Sequence, residues 1–299
     1  MVDVSHYSGD LIDRASELRR DDQWIAARLR DPATRLVPVH QGRNLLRDRS
    51  AAFLAPGDVD GFPDDPLMEP IFLGIDEVGP LFAVDMSHLD ERVVAGPGED
   101  CVLEELYGIA TQLFRRDASL LSHAAWLVRW RHHHRYCGVC GHVTGSREAG
   151  HVRVCTNDAC RTLAFPRTDP AVIMVTEFAD RCLLARQKNW PGGLHSCLAG
   201  FVEPGESAEE AVVREVREES GLEVRDVRYH ATQPWPYPSS LMLGYFAVAT
   251  HDAVVIDRDE LATARWFTRE ELVALPDGVE LPRRDSIARS LIDAWIAAR

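Results

Sequence analysis

At 299 residues and 45% hydrophobic content the chain is long enough to bury two cores, and no run of about eighteen apolar residues marks a membrane span. The formal charge of −14 leaves no cationic excess to displace phosphate counterions, so general nucleic-acid binding is not expected, although a divalent cation would still let an acidic surface take a nucleotide. Seven cysteines, and a start at 1–20 that lacks the basic-then-apolar order of a signal peptide, set the expectation of a reducing, cytoplasmic location.

Residues 1–131 carry weak signals: short apolar pieces at 71–74 and 81–84, then helical patterns at 100–116 and 120–134. They read as a small α+β domain. His132, His133 and His134 are consecutive, and adjacent helix positions do not share a face, so with Arg131 and Arg135 they read as a solvated basic helix end rather than a metal site. The next stretch, 132–166, holds Cys137-x2-Cys140 and Cys155-x4-Cys160 separated by fourteen residues. Two short knuckles joined by a hairpin can close a tetrahedral thiolate site, which predicts a zinc ribbon. Gly138 and Gly141 let the backbone turn about the metal. Four cysteine ligands leave no open position, so the zinc is expected to be structural.

The third part, 167–299, opens with alternating runs at 171–178 and 182–186 about Ala179 and Asp180, a hairpin pattern, followed by a strand at 195–199. A glycine-bearing loop, 200–206, leads into a helix over 207–220, with Ser207 and Glu210 as a capping box and Gly221 as its left-handed end. Ala208, Ala211, Val212 and Val216 form its buried stripe. Glu215, Glu218 and Glu219 then crowd one side, where like charges repel by a few tenths of a kcal/mol per pair (~0.2–0.5) unless a hard cation such as Mg²⁺ or Mn²⁺ binds them. Arg214 precedes Glu218 by four residues, within reach to orient a carboxylate. Residues 232–240 read TQPWPYPSS, a stiff segment whose Trp235 and Tyr237 present flat faces with little entropy to lose. Strands at 241–250 and 264–267, an acidic stretch at 254–261 and an amphipathic helix at 286–298 complete the pattern. Strands on either side of the acidic helix point to a mixed sheet sandwiched by helices, within an α+β chain overall.

Gly200, Glu206, Arg214, Glu215, Val216, Glu218, Glu219, Gly221 and Leu222 fill every fixed position of the Nudix box, so the chain resembles the Nudix hydrolases. The resemblance implies an α/β/α sandwich and hydrolysis of a nucleoside diphosphate linked to another moiety. The segment 232–240 is similar to the SQPWPFPxS signature of the NAD(H) pyrophosphatase branch, matched at Gln233, Pro234, Trp235, Pro236, Pro238 and Ser240, with Thr232 and Tyr237 as replacements. A zinc ribbon just before the Nudix region is that branch's order as well.

That branch implies cleavage of NADH or NAD⁺ at the central diphosphate to nicotinamide mononucleotide and AMP, extending to the NAD-capped 5′ end of RNA. It implies Mg²⁺ or Mn²⁺ on Glu215, Glu218, Glu219, Glu260 and the carbonyl of Ala199, with Glu218 and Glu219 both open as the base. Substrate contacts implied are Phe165, Phe201, the segment Gln233, Pro234, Trp235, Pro236, Tyr237, Pro238, Ser239 and Ser240, and the backbone near Ala288. An acidic residue that the family places between the cysteine pairs is missing, and Gly150 falls near its position. Homodimerisation is implied as well. Competing expectations are a Nudix enzyme for another nucleotide such as ADP-ribose, a non-enzymatic dinucleotide sensor, and a ribbon serving as a nucleic-acid module.

Overall fold

The computed structural model describes residues 6–9, 12–59, 65, 67–95 and 100–298, so the chain start read above for targeting order lies partly outside it. Two compact units emerge, one over Tyr7–Arg167 and the other containing Thr168–Arg299.

In the first unit, α1 (Asp22–Arg28) is followed by β1 (Arg35–His40), β2 (Arg43–Arg47), β3 (Ser50–Ala51), β4 (Ile71–Ile75), β5 (Pro80–Asp85), α2 (Glu91–Ala95), β6 (Cys101–Glu104), α3 (Leu106–Ile109) and α4 (Arg115–His133). The sheet order is β3-β2-β1-β5-β4 with β6 added to β2, and β1 and β5 run parallel. Leu36, Leu45, Phe72, Phe82 and Val84 form its core, each burial of such a side chain stabilising by ~1.5–3 kcal/mol.

Two expectations change here. The helical pattern at 100–116 divides into strand β6 and the short helix α3, because Cys101–Glu104 is held in a ladder against β2. The basic helix end is not simply solvated. Arg131 is completely buried and donates to the carbonyl of Glu69, while His132 pairs with the buried carboxylate of Asp85. The ribbon follows as β7 (Thr144–Arg147), β8 (Val152–Cys155) and β9 (Leu163–Ala164), an antiparallel sheet in that order.

The second unit runs β10 (Asp169–Phe178), β11 (Arg181–Gln187), β12 (Leu198–Phe201), α5 (Ala208–Ser220), β13 (Val224–Trp235), β14 (Ser240–Ala249), β15 (Leu261–Thr268), α6 (Arg269–Val273) and α7 (Ile287–Ala297). The sheet order is β13-β14-β10-β11-β15 with β12 on β10; β10 and β14 are parallel and the other pairs antiparallel, so the sheet is mixed as expected. Side chains alternate along β10. Val172 and Met174 join Ala211, Val212 and Val216 of α5, whereas Ile173 and Val175 join Leu291, Ile292 and Trp295 of α7. One sheet between two helical layers results, the α/β/α sandwich that the Nudix resemblance implies. The strand expected at 195–199 lies further on, at Leu198–Phe201, with Ser196 making only an isolated bridge to Ala185. The stiff segment divides: 232–235 is the end of β13, and 236–239 forms the turn into β14.

Candidate active site and zinc centre

Helix α5 begins and ends as its sequence requires. Ser207 Oγ accepts from the Glu210 amide at 3.2 Å, Glu210 Oε2 accepts from the Ser207 amide at 2.7 Å, and Gly221 ends the helix at φ 69°. These caps fix which residues meet β12. At Gly200 the two elements approach so closely that a Cβ would lie 1.9 Å from Glu215 Cδ, so glycine there is what allows the Glu215 carboxylate to rest against the strand.

Arg214 organises the cluster. Its Nε and Nη2 take both oxygens of Glu206 at 2.6 and 2.9 Å, Nη2 also reaches the Phe201 carbonyl at 2.8 Å, and Nη1 bridges Glu215 at 2.8 Å and Glu218 at 3.0 Å. Paired in this bidentate fork, Glu206 is held down to about 2. Burial pushes the Glu215 carboxyl above its ordinary value even though Arg214 opposes the shift.

Glu219 has no such partner. It is 3% exposed, and its Oε2 is buried without a hydrogen bond. Burial first, then the charges of Glu215 and Glu260, push its carboxyl up to about 8. Glu260 and Asp257 come near because the stretch after β14 is tied to the end of α5: the Val255 amide donates to the Ser220 carbonyl at 2.9 Å and the Asp257 amide to that of Glu219 at 3.1 Å. An all-oxygen donor set with one orphaned buried carboxylate oxygen, on a group otherwise held by the Ala199 backbone, fits a hard divalent cation. The carboxylates are not drawn into a closed set; among the described residues, only the four cysteines bring three or more such ligand atoms all within 4.8 Å of one another.

Those cysteines fit zinc as directly. Sγ separations are 3.8 Å for Cys137–Cys160 and 3.3 Å for Cys140–Cys155, close to the ~3.8 Å edge of a tetrahedron with Zn–S bonds near ~2.3 Å. The sulfurs are supported from outside by the Val139 amide and by the Asn157 side chain, at 3.4 and 3.9 Å, and Thr162 Oγ1 lies 3.1 Å from Cys160. The zinc site is closed and structural.

Three family descriptions match successive parts of the chain: an NADH pyrophosphatase-like rudimentary NUDIX domain at 33–130, an NADH pyrophosphatase zinc ribbon domain at 132–163 and a NUDIX domain at 166–289. Among relatives, the NAD-capped RNA hydrolase NudC of Mycobacterium bovis (strain BCG / Pasteur 1173P2) is 39% identical over 95% of this chain and 92% of its own length. The NAD-capped RNA hydrolase NUDT12 of Homo sapiens is 33% identical over 98% of this chain and 73% of its own length. The chain belongs to the Nudix hydrolases, in their NADH pyrophosphatase branch. A solved NUDIX hydrolase from Nitrosomonas europaea aligns with 54% of this chain and 90% of its own at 21% identity and a TM-score of 0.45.

Within the Nudix unit the expected substrate residues separate into two kinds. Trp235 and Tyr237 are half-buried and meet edge to face, 5.1 Å between centroids, at the tip of the β13–β14 hairpin. Phe201 is exposed, and its carbonyl is the one Arg214 grips. Pro234 and Pro236 are half-buried, Pro238 is exposed, and Ser239 Oγ donates to Asp169 at 2.9 Å. Gln233, by contrast, is wholly buried: its Nε2 donates to the Asp285 carbonyl and its Oε1 accepts from the Ile287 amide, both at 2.7 Å. Its side chain is thus a clasp on the start of α7, where Ala288 is buried in the core beneath the sheet. Ser240 is buried as well, and Phe165, in the other unit, is exposed. Glu206 and Asp257 were not singled out as site residues. The first is a fixed position of the Nudix box, and the second stands in the acidic run 254–261, so both carried a signal.

Proposed function

We propose that this Nudix hydrolase cleaves the central diphosphate of NADH or NAD⁺ to nicotinamide mononucleotide and AMP, and the same bond in the NAD cap of RNA. The observation that carries the reading is the buried carboxylate of Glu219 beside Glu215, one oxygen of which has no hydrogen-bond partner, in a chain whose relatives are NAD-capped RNA hydrolases. A bound Mg²⁺ or Mn²⁺ supplies charge neutralisation of the phosphates and a more acidic water. Glu215, Glu219, Glu218 and Glu260 would hold it, with the Ala199 carbonyl beside them.

Arg214 keeps Glu215 and Glu218 in place by gripping them from one side while anchored on Glu206. A carboxylate, Glu219 or Glu218, accepts the proton as the water oxygen bonds to phosphorus and the bridging oxygen leaves with the second phosphate. Trp235 and Tyr237 would stack a flat ring, with Phe201 as a further contact and Pro234, Pro236, Pro238, Ser239 and Ser240 shaping the segment; Phe165 is a contact that the family resemblance alone implies. Gln233 supports that site by holding the backbone before Ala288.

We further read the chain as three parts, 1–131, 132–166 and 167–299, forming a homodimer in the cytoplasm; family resemblance supports the dimer, and the cysteine content supports the compartment. The deciding experiment is NADH turnover at saturating Mn²⁺ in Glu219→Gln and Glu215→Gln, where falls of about 10²–10⁴ are expected. Near-normal rates in both would eliminate the reading. Product analysis across NADH, NAD⁺, ADP-ribose and NAD-capped RNA fixes the substrate, and preferential cleavage of ADP-ribose would replace it.

A further inference from the structure

The zinc ribbon leaves apolar side chains in water. Tyr136, Val139, Val143 and Leu163 are 57, 74, 52 and 48% exposed. Strand register puts most of them together. Tyr136 bridges Val143, Gly145 opposes Val154, and Val154 opposes Leu163; facing residues of an antiparallel ladder point to the same side, as do residues two apart in one strand. Tyr136, Val143, Gly145, Arg147 and Leu163 therefore share one face with Val152 and Val154, which are buried at its centre while the others stand around them. On the opposite face Arg153 and Thr144 are buried and hydrogen-bonded to each other. At the middle of the outer face Gly145 has no side chain, and the nearest atoms to a Cβ there are 3.9 Å away on Val154 and Thr156, so the surface is low and flat between its aromatic and its arginine.

Charge singles out an occupant. The ribbon, 132–166, carries four arginines and no lysine against two acids, Glu148 and Asp158, a local +2 within a chain of −14, and Arg129, Arg131 and Arg167 flank it. Arg129, Arg135, Arg147, Arg161 and Arg167 are exposed, and the Arg135 guanidinium sits 5.7 Å from the Tyr136 ring centroid. A second copy of the chain would bring the same cationic patch against itself across a two-fold axis, which disfavours that partner. A flexible polyanion with flat faces suits the patch: bases stack on aromatic and apolar side chains while arginines follow the phosphates.

We propose that this face of the ribbon binds the single-stranded body of an RNA whose NAD cap is being cleaved, a role that rests on the decapping reading above. The net charge of −14 speaks against nucleic acid only as an average over the chain. The ribbon reverses its sign locally.

The test uses the full-length protein with zinc content verified in each variant. Anisotropy of a labelled single-stranded 5′-monophosphate RNA of about twelve nucleotides is measured across salt for the wild type, Tyr136→Ala, Arg135→Gln and Arg147→Gln. Tyr136→Ala is expected to weaken binding about fivefold or more. Each arginine variant is expected to reduce the slope of log affinity against log salt by ~0.7. In parallel, kcat/KM for NAD-capped RNA falls through KM, while NADH turnover stays at the wild-type level. No oligonucleotide binding by the wild type, or equal binding by all variants, overturns the proposal. So does a change of oligomeric state in the variants by sedimentation, which would make the face a subunit interface. A wild type that cleaves NADH but not capped RNA removes the decapping reading, and oligonucleotide binding then still decides whether this face takes RNA.

Discussion

The zinc ribbon and the Nudix helix both gather metal-binding side chains, but they do so in opposite ways. In the ribbon four soft donors lie within 4.8 Å of one another and are supported by neighbouring amides, so the ligand set is complete. Around α5 the donors are hard and open: Arg214 holds Glu215 and Glu218 to one side, and Glu219 keeps a buried oxygen with no partner. A closed set stores stability, whereas an open one keeps affinity for what arrives with the substrate. Different consequences follow for the two regions when metal, charge or a single side chain is removed.

The largest expected effect is on the ribbon. Stripping zinc with a strong chelator, or Cys155→Ser, removes a binding free energy that is of order ~10–16 kcal/mol for structural zinc sites, so the ribbon unfolds; retention of its structure by circular dichroism or amide exchange would show that zinc does not hold it. Chelating Mg²⁺ or Mn²⁺ should leave the Nudix sheet folded while abolishing turnover. Loss of both together would erase the distinction drawn between them.

Acid and base separate the regions next. His151 is buried against the Phe72 carbonyl and is held down to about 4, by burial first and then Arg19 and Arg14. A group whose folded pKa is depressed contributes stability that is present above its unfolded value, near ~6.5, and is lost as pH falls through about 4. In the metal-free Nudix unit the sign is reversed. Glu219 is raised to about 8, so its contribution is full below its unfolded value near ~4.3 and is lost as pH rises through about 8. Thermal melts of metal-free protein should therefore show a Nudix transition that weakens from acid to base and is flattened by Glu219→Gln. A ribbon-unit transition that weakens toward acid should be flattened by His151→Gln. Parallel pH profiles for the two transitions would contradict the assignment of these groups.

Smaller changes sharpen the picture within the Nudix unit. Gln233→Ala leaves the Ile287 amide and the Asp285 carbonyl without their partner, at a cost of ~1–3 kcal/mol per unsatisfied group, and should lower Tm with more effect on KM than on kcat. A normal Tm would mean that the clasp on α7 is dispensable. Ser207→Ala should cost only ~1 kcal/mol in denaturant unfolding, through the lost cap.

Legibility in the sequence followed the range of the interactions. The ends of α5, its buried stripe and the cysteine spacing are local, and each appears in the structure where its residues stand. Strand β13 escaped because most of its length, Val224 through His230, lies at the sheet edge with Arg225, Asp226 and Arg228 outward, so no clean alternation marks it. In 100–116, pairing of Cys101–Glu104 with β2 overrides a helical periodicity. The burial of Glu219 and Gln233 could not be read at all. It depends on β12, the 254–261 stretch and α7 meeting them in space, and composition carries no trace of that.

The central claim is that Glu219 is a ligand waiting for a cation, and a Mn²⁺ titration without substrate, followed by electron paramagnetic resonance of the free ion, tests it most directly. The account predicts Mn²⁺ binding by the wild type that weakens at least about tenfold in Glu219→Gln, one lost ligand being worth more than ~1.4 kcal/mol. Equal affinity in the two proteins would contradict it.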